Sequence, residues 1–183
     1  DMGVPVSGKN LFPSNISGLP TWYIIRLSDH GYQAPGNRTD VQILVNPATW
    51  EEDLAALEPG TVVVWNDNGK TEMNRDDVIS YPIPMTKLAR KINPKLAKLI
   101  TNIIYVGALA EILGIEQSAL ESAIKKQFKG KASAIELNTD ALELGRNSFK
   151  ENHTKQDPYV VEARKIETPQ FFLEGNEAVA LGA

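Results

Sequence analysis

This sequence predicts an α/β fold, a parallel sheet flanked by helices and followed by a helical C-terminal half. Three observations carry that expectation. Residues 41–45 (VQILV) and 61–65 (TVVVW) are near-continuous apolar runs, the pattern of strands covered on both faces. Between them lies a segment with Trp50, Leu54 and Leu57 at helical spacing, so strand, helix and strand alternate. From Pro94 to Phe149 the apolar residues recur at helical spacing, with turn residues between successive runs.

Residues 4–6 (VPV) and 21–27 (TWYIIRL) are strand candidates, and 29–39 reads as a surface turn. Asn46 can cap a helix that has Pro47 at its first position, with Glu51, Glu52 and Asp53 where the helix dipole favours acid. Pro59-Gly60 ends it. Residues 66–69 (NDNG) form a turn cluster, and 78–84 (VISYPIP) a short strand closing at prolines, with a helix from about Thr86. Pro94 can open a long helix carrying Leu96, Leu99, Ile103, Val106 and Ala110. It is apolar nearly all round from Ile100 to Leu113, so it should be the central buried helix. Asn102 within it is expected to be buried and hydrogen-bonded. Gly107 and Ala108 would admit another backbone, and Gly114 ends the helix. Amphipathic helices follow over 118–128 and 131–149. Residues 150–168 are charged and aperiodic and read as a linker; 169–173 (PQFFL) read as a strand.

The 183 residues suffice for one domain with a real core, and 42% hydrophobic and 23% charged residues are ordinary globular values. A net charge of −4 leaves no basic footprint for nucleic acid. No apolar run approaches the roughly eighteen residues of a membrane span. With no cysteine, the chain itself can form no disulfide, iron–sulfur ligation or thiolate zinc site, which fits a reducing, cytoplasmic setting. Residues 1–6 read as the end of a helix, a glycine turn and a strand, and 175–183 (GNEAVALGA) as the first turns of a helix. The expectation is a fragment whose first βα unit is missing.

The candidate site residues lie in three places. Residues 9–22 (KNLFPSNISGLPTW) set Ser14, Asn15 and Gly18 between Pro13 and Pro20, just before an apolar run read as a buried strand. They can form an Asx-turn, or they can line a ligand cleft at the strand ends, where open α/β sheets bind ligands. Thr86 and Lys87 open a helix; Thr86 reads either as an N-cap or as a contact for an anion at the helix N-terminus. Lys125, Lys126, Lys129 and Lys131 cluster around Gly130, either as a solvated helix end or as a phosphate contact. Trp22, Trp50 and Trp65 read as core or interface fillers rather than ligand stackers. His30 and His153 stand alone in polar stretches and read as surface histidines, and no Ser-His-Asp, P-loop or GxGxxG pattern is present.

Residues 9–32 (KNLFPSNISGLPTWYIIRLSDHGY), 41–57 (VQILVNPATWEEDLAAL), 83–89 (IPMTKLA), 102–115 (NIIYVGALAEILGI) and 137–145 (LNTDALELG) together resemble the γ-type domain of 2-oxoacid:ferredoxin (acceptor) oxidoreductases. Residues 171–183 (FFLEGNEAVALGA) resemble the entrance to the α-type, pyrimidine-binding domain of the same family. The order, γ-type then α-type, resembles the fused α subunits.

The resemblance implies a Rossmann-like γ-type domain over 1–150, a linker over 151–168, and the start of an α-type domain over 169–183. It implies oxidative decarboxylation of a 2-oxoacid such as 2-oxoglutarate or pyruvate to an acyl-CoA. That reaction uses thiamine diphosphate, coenzyme A and iron–sulfur clusters, a β subunit carrying the thiamine diphosphate and a cluster, and ferredoxin as acceptor. The γ-type layer covers the active site and helps receive coenzyme A, whereas the thiamine chemistry belongs to other domains, so the fragment alone is expected to be inactive. Carried over, Ser14, Asn15 and Gly18 present polar atoms and N–H groups to coenzyme A, Thr86 and Lys87 sit at the neighbouring strand end, and Lys129 and Lys131 offer charge to a phosphate. The alternative from the residues alone is a non-catalytic α/β ligand-binding or subunit-docking module. A nucleotide-dependent oxidoreductase, with its glycine turn upstream, is a weaker third.

Overall fold

The computed structural model describes residues 2–12, 18–34, 36–69, 72–165, 173 and 175–182. Its centre is a three-stranded parallel sheet, β3 (Val41–Leu44), β4 (Val62–Asn66) and β5 (Ile79–Ile83), in that spatial order. The middle strand explains the apolar run: Val62, Val63 and Val64 are fully buried because both faces are covered. On one face α1 (Trp50–Ala55), entered through a 3₁₀ turn at Pro47–Thr49, packs with Leu57 over Leu44, Val63 and Trp65. On the other, α2 (Met85–Ile92), α3 (Ala97–Leu113) and α5 (Ala132–Asn152) pack over Val62, Val64, Tyr81 and Ile83. The amphipathic α4 (Gln117–Phe128) lies against α5.

The α3–α5 pair is antiparallel and close. A Cβ on Gly107 would collide with the Leu142 carbonyl, and one on Gly145 with the Ile104 carbonyl, so each glycine admits the other helix's backbone. Gly107 thus has the role its position suggested. Pro94 does not open α3 as expected; residues 94–96 form a turn in which Asn93 Oδ1 accepts from the Lys95 and Leu96 amides, and the helix proper starts at Ala97. Asn102 is exposed rather than buried. The buried stripe runs through Ile100, Ile104, Gly107, Ala108 and Ile112, and Asn102 falls on the opposite side with Leu99.

The N-terminal region departs further from expectation. β1 (Val6–Leu11) and β2 (Trp22–Leu27) form their own antiparallel ribbon, outside the parallel sheet. Residues 9–22 are therefore not all loop: Lys9, Asn10 and Leu11 pair with Ile24, Tyr23 and Trp22. Nor is β2 a buried strand. Its residues alternate, Trp22, Ile24 and Arg26 half-buried and Tyr23, Ile25 and Leu27 exposed, because a two-stranded ribbon here is covered on one face only.

After α5 the chain is not a free linker. His153 Nε2 bonds the Pro82 carbonyl at 2.8 Å, and the Gln156 amide donates to the Tyr81 hydroxyl, which donates to Asp157 Oδ2 at 2.9 Å. The Lys155 ammonium donates to Asp157 and to the Ile112 and Tyr159 carbonyls, satisfying the C-terminal end of α3. Val161 N donates to Leu113 O, and Arg164 N to Met2 O. The segment is a strap joining sheet, helix layer and ribbon. Of the strand expected over 169–173, only Leu173 is among the described residues; the rest lies outside them. The helix expected near the end is present as α6 (Gly175–Gly182), with no buried residue.

Candidate functional site

The C-terminal ends of β3 and β4 open into a cleft of about 290 Å³. Its lining includes Asn46, Trp50, Glu51, Asn66 and Asn68. This is where an open parallel sheet exposes the ends of its strands between helices. Asn46 follows β3, and its Oδ1 accepts from the Ala48 amide at 3.1 Å, which starts the 3₁₀ turn. Trp50 stands edge-on to the buried Trp65, with ring centroids 5.5 Å apart, and Trp65 Nε1 donates to Ser80 Oγ. Two of the three tryptophans are therefore a packed pair, as the sequence suggested, although Trp50 also forms part of the cleft wall.

Asn66, the last residue of β4, clamps the first turn of α2. Its Nδ2 donates to Thr86 Oγ1 at 2.7 Å, and its Oδ1 accepts from the Thr86 amide at 3.1 Å. Thr86 is thus inside the helix rather than at its N-cap, which is Pro84. One of the orphan donors of α2 is already satisfied by a side chain that lines the cleft. Beside it, Asp67 Oδ1 accepts from the Gly69 amide at 2.8 Å and holds the turn after β4.

The ribbon reaches the same end of the sheet. Trp22 Nε1 donates to Asp53 Oδ1 at 2.7 Å, and Asp53 Oδ2 accepts from Thr49 Oγ1 at 2.7 Å. Thr49 is buried and Asp53 sits in the first turn of α1. Leu11 and Trp22 are paired, so this end of the ribbon is tethered next to the helix whose start forms one wall of the cleft.

Against this geometry the predicted site residues divide. Ser14 and Asn15, between β1 and β2 in the sequence, lie outside the described residues. Gly18, also between β1 and β2, is exposed at φ +95°, a conformation that suits glycine. Thr86 is one hydrogen bond from the cleft through Asn66, and Lys87 beside it is exposed. Lys129 and Lys131 are exposed at the turn between α4 and α5 and are not part of the cleft lining. Lys129 is the one non-glycine residue with positive φ (38°) among those described. Asn46, Glu51, Asn66 and Asn68 were not singled out as site residues. The signal available was the Asn-rich sequence after each of two strands, which also reads as ordinary turn chemistry.

Chemically the described part of the cleft wall offers three side-chain amides, one carboxylate and an aromatic edge. These groups suit hydrogen bonding to a neutral polar group. Among the described residues no three His, Cys, Asp or Glu side chains gather as a metal site, and no single helix is long and apolar enough to cross a membrane.

Residues 1–148 match the family model described as pyruvate ferredoxin/flavodoxin oxidoreductase. The chain belongs to this family. The 2-oxoglutarate oxidoreductase subunit KorA of Mycobacterium tuberculosis is 24% identical over 86% of the chain, which spans 28% of that subunit. Among solved structures, the 2-oxoglutarate:ferredoxin oxidoreductase from Magnetococcus marinus, with 2-oxoglutarate, coenzyme A and succinyl-CoA bound, superposes with a TM-score of 0.78 at 28% identity. That match covers 89% of this chain and 29% of the larger one. The gamma subunit of a keto/oxoacid ferredoxin oxidoreductase from Geobacter sulfurreducens shares the fold, with a TM-score of 0.64 at 16% identity, over 81% of this chain and 82% of that subunit. This oxidoreductase-family chain therefore spans less than a third of the curated relative, and about four-fifths of its length shares the fold of a separate gamma subunit.

Proposed function

We propose that this chain is the γ-type layer of a 2-oxoacid:acceptor oxidoreductase α subunit, covering the active site and helping to receive coenzyme A. The family match over 1–148 supports a γ-type domain over 1–150, leaving 169–183 as the start of an α-type domain. The observation that supports the reading is the hydrogen bond from Trp22, at the start of β2, to Asp53 in the first turn of α1, the helix whose start forms one wall of the cleft at the strand ends. Loops held by rigid elements at this end of a parallel sheet are where ligand contacts are built.

The lining residues fit one part of coenzyme A better than another. Asn46, Asn66 and Asn68 match a neutral, amide-bearing arm, whereas phosphates call for cations, the role assigned to Lys129 and Lys131. Coenzyme A supplies the thiol that accepts the acyl group; this chain's contribution is to bind and orient it. The chain has no cysteine and so supplies no thiolate for an iron–sulfur cluster. Clusters and thiamine diphosphate belong, in this reading, to the remaining domains and a β subunit that passes electrons to ferredoxin, in the cytoplasm.

The test is the double variant Ser14→Ala/Asn15→Ala in the intact oxidoreductase. The expected result is a rise of about tenfold in the KM for coenzyme A, the scale of one or two lost hydrogen bonds, with the 2-oxoacid KM unchanged. Unchanged turnover and an unchanged KM for coenzyme A would make the loop purely structural.

A further inference from the structure

The turn after β4 carries a chemically reactive pair of residues. Asn68-Gly69 is the one Asn-Gly dipeptide in the chain. A glycine after asparagine leaves its own amide nitrogen unscreened by a Cβ, so that nitrogen can reach the asparagine side chain. Once deprotonated by solvent, the Gly69 nitrogen attacks Cγ of Asn68. A C–N bond forms, the bond from Cγ to Nδ2 breaks, and ammonia leaves, taking back a proton from water. Water then opens the resulting succinimide ring at either carbonyl and gives aspartate or isoaspartate. The net change is one water consumed and one ammonia released, with nothing oxidised or reduced.

The cleft lining holds three asparagines, and their surroundings separate them. Asn46 precedes Pro47, whose nitrogen carries no hydrogen and cannot supply the nucleophile. Asn66 is half-buried, and the amide after it, that of Asp67, donates to the Ile83 carbonyl at 2.9 Å in continuation of the β4–β5 pairing. Asn68 and Gly69 are both exposed, and Gly69 stands at φ +73°, a turn conformation outside the sheet. Asp67 opposes the reaction there. Its Oδ1 accepts from the Gly69 amide at 2.8 Å, so it holds the hydrogen that must leave, and its negative charge disfavours an amide anion beside it.

We propose that Asn68 is a spontaneous deamidation site in the cleft wall, with Asp67 as the group that slows it. The product exchanges a neutral amide for a carboxylate and adds a second acid to a lining that already contains Glu51. A wall suited to neutral polar groups then repels anions, coenzyme A among them. That consequence rests on the coenzyme A reading of the cleft; the modification itself does not.

The test is to age the intact oxidoreductase in mildly alkaline buffer and follow its asparagine-containing peptides by mass. Asn102, exposed and followed by Ile103, is the comparator. Asn68 is expected to convert at least about tenfold faster than Asn102, to both aspartate and isoaspartate, because a β-branched neighbour screens the amide that glycine leaves open. Asp67→Ala should speed the conversion by about a further tenfold, the scale of a lost hydrogen bond to a charged group. Conversion of Asn68 no faster than that of Asn102 overturns the site, and an unchanged rate in Asp67→Ala overturns the role of Asp67. Asn68→Asp supplies the product directly and should raise the KM for coenzyme A while leaving that for the 2-oxoacid unchanged. An unchanged KM for coenzyme A alongside fast conversion would remove the coenzyme A reading of the cleft and leave the modification established.

Discussion

Trp22 and Asp53, thirty-one residues apart, meet at 2.7 Å and join the ribbon to the first turn of α1. The same carboxylate accepts from Thr49, so it serves ribbon and helix at once. Trp22→Phe keeps the ring and removes the donor. It is expected to cost about 1.5 kcal/mol, the worth of a hydrogen bond to a charged group, by denaturant unfolding. In the intact enzyme it should also raise the KM for coenzyme A. A stability loss with an unaltered KM would separate the tether from ligand binding.

Gly107 and Gly145 set the distance between α3 and α5. Alanine at either position drives a methyl into a backbone carbonyl that has no rotamer by which to yield. Each substitution should destabilise by about 3 kcal/mol, at the upper end of overpacking effects, and thermal unfolding measures it. Gly175→Ala in α6, where nothing lies near the added carbon, is the control and should not destabilise.

Lys129 ends α4 at φ 38° and is followed by Gly130 at φ 81°. Lys129→Gly relieves the left-handed strain and should stabilise the fold by up to about 1 kcal/mol. If Lys129 meets a phosphate, the same substitution weakens coenzyme A binding. Greater stability with a higher KM is the expected pair of results; greater stability alone would leave Lys129 as a helix end.

The strap gives the fold an alkaline limit. Burial pushes the Tyr81 phenol above its ordinary value of 10.0, the Gln156 amide opposes this, and the neighbouring Asp157 carboxylate adds to it. A raised tyrosine favours the folded state fully below its unfolded value, and that contribution is lost as pH rises through the folded one. Burial moves Tyr105 and Tyr159 in the same direction. Stability should therefore fall above about pH 10. Tyr81→Phe should lower stability at neutral pH by about 2 kcal/mol, through the hydrogen bonds lost at Asp157 and Gln156, and make the alkaline fall shallower. Unfolding at a series of pH values reads both.

The parallel sheet and its helices were legible because their signals are local. Val62, Val63 and Val64 follow one another with no polar residue between them, and Gly107 interrupts an apolar helix where only close approach explains a glycine. The ribbon was not legible as such. Both faces of β2 are apolar apart from Arg26, so the run reads as buried, yet this chain covers one face only. The strap was hidden for a different reason: its contacts join Lys155 to Ile112 and Arg164 to Met2, pairings that leave no period in the sequence. The cleft residues Asn46, Asn66 and Asn68 look like turn formers, and two of them do that work as well: Asn46 starts the 3₁₀ turn and Asn66 holds the first turn of α2.

Hydrogen exchange on the intact oxidoreductase, with and without coenzyme A, addresses the ribbon loop and the strand ends together. The account predicts slowed exchange on adding coenzyme A in residues 12–21, 44–51 and 66–69, with the α4–α5 turn slowed only when the phosphates are present, as judged against pantetheine. Exchange in those three segments that does not change while coenzyme A is bound and turned over would contradict it.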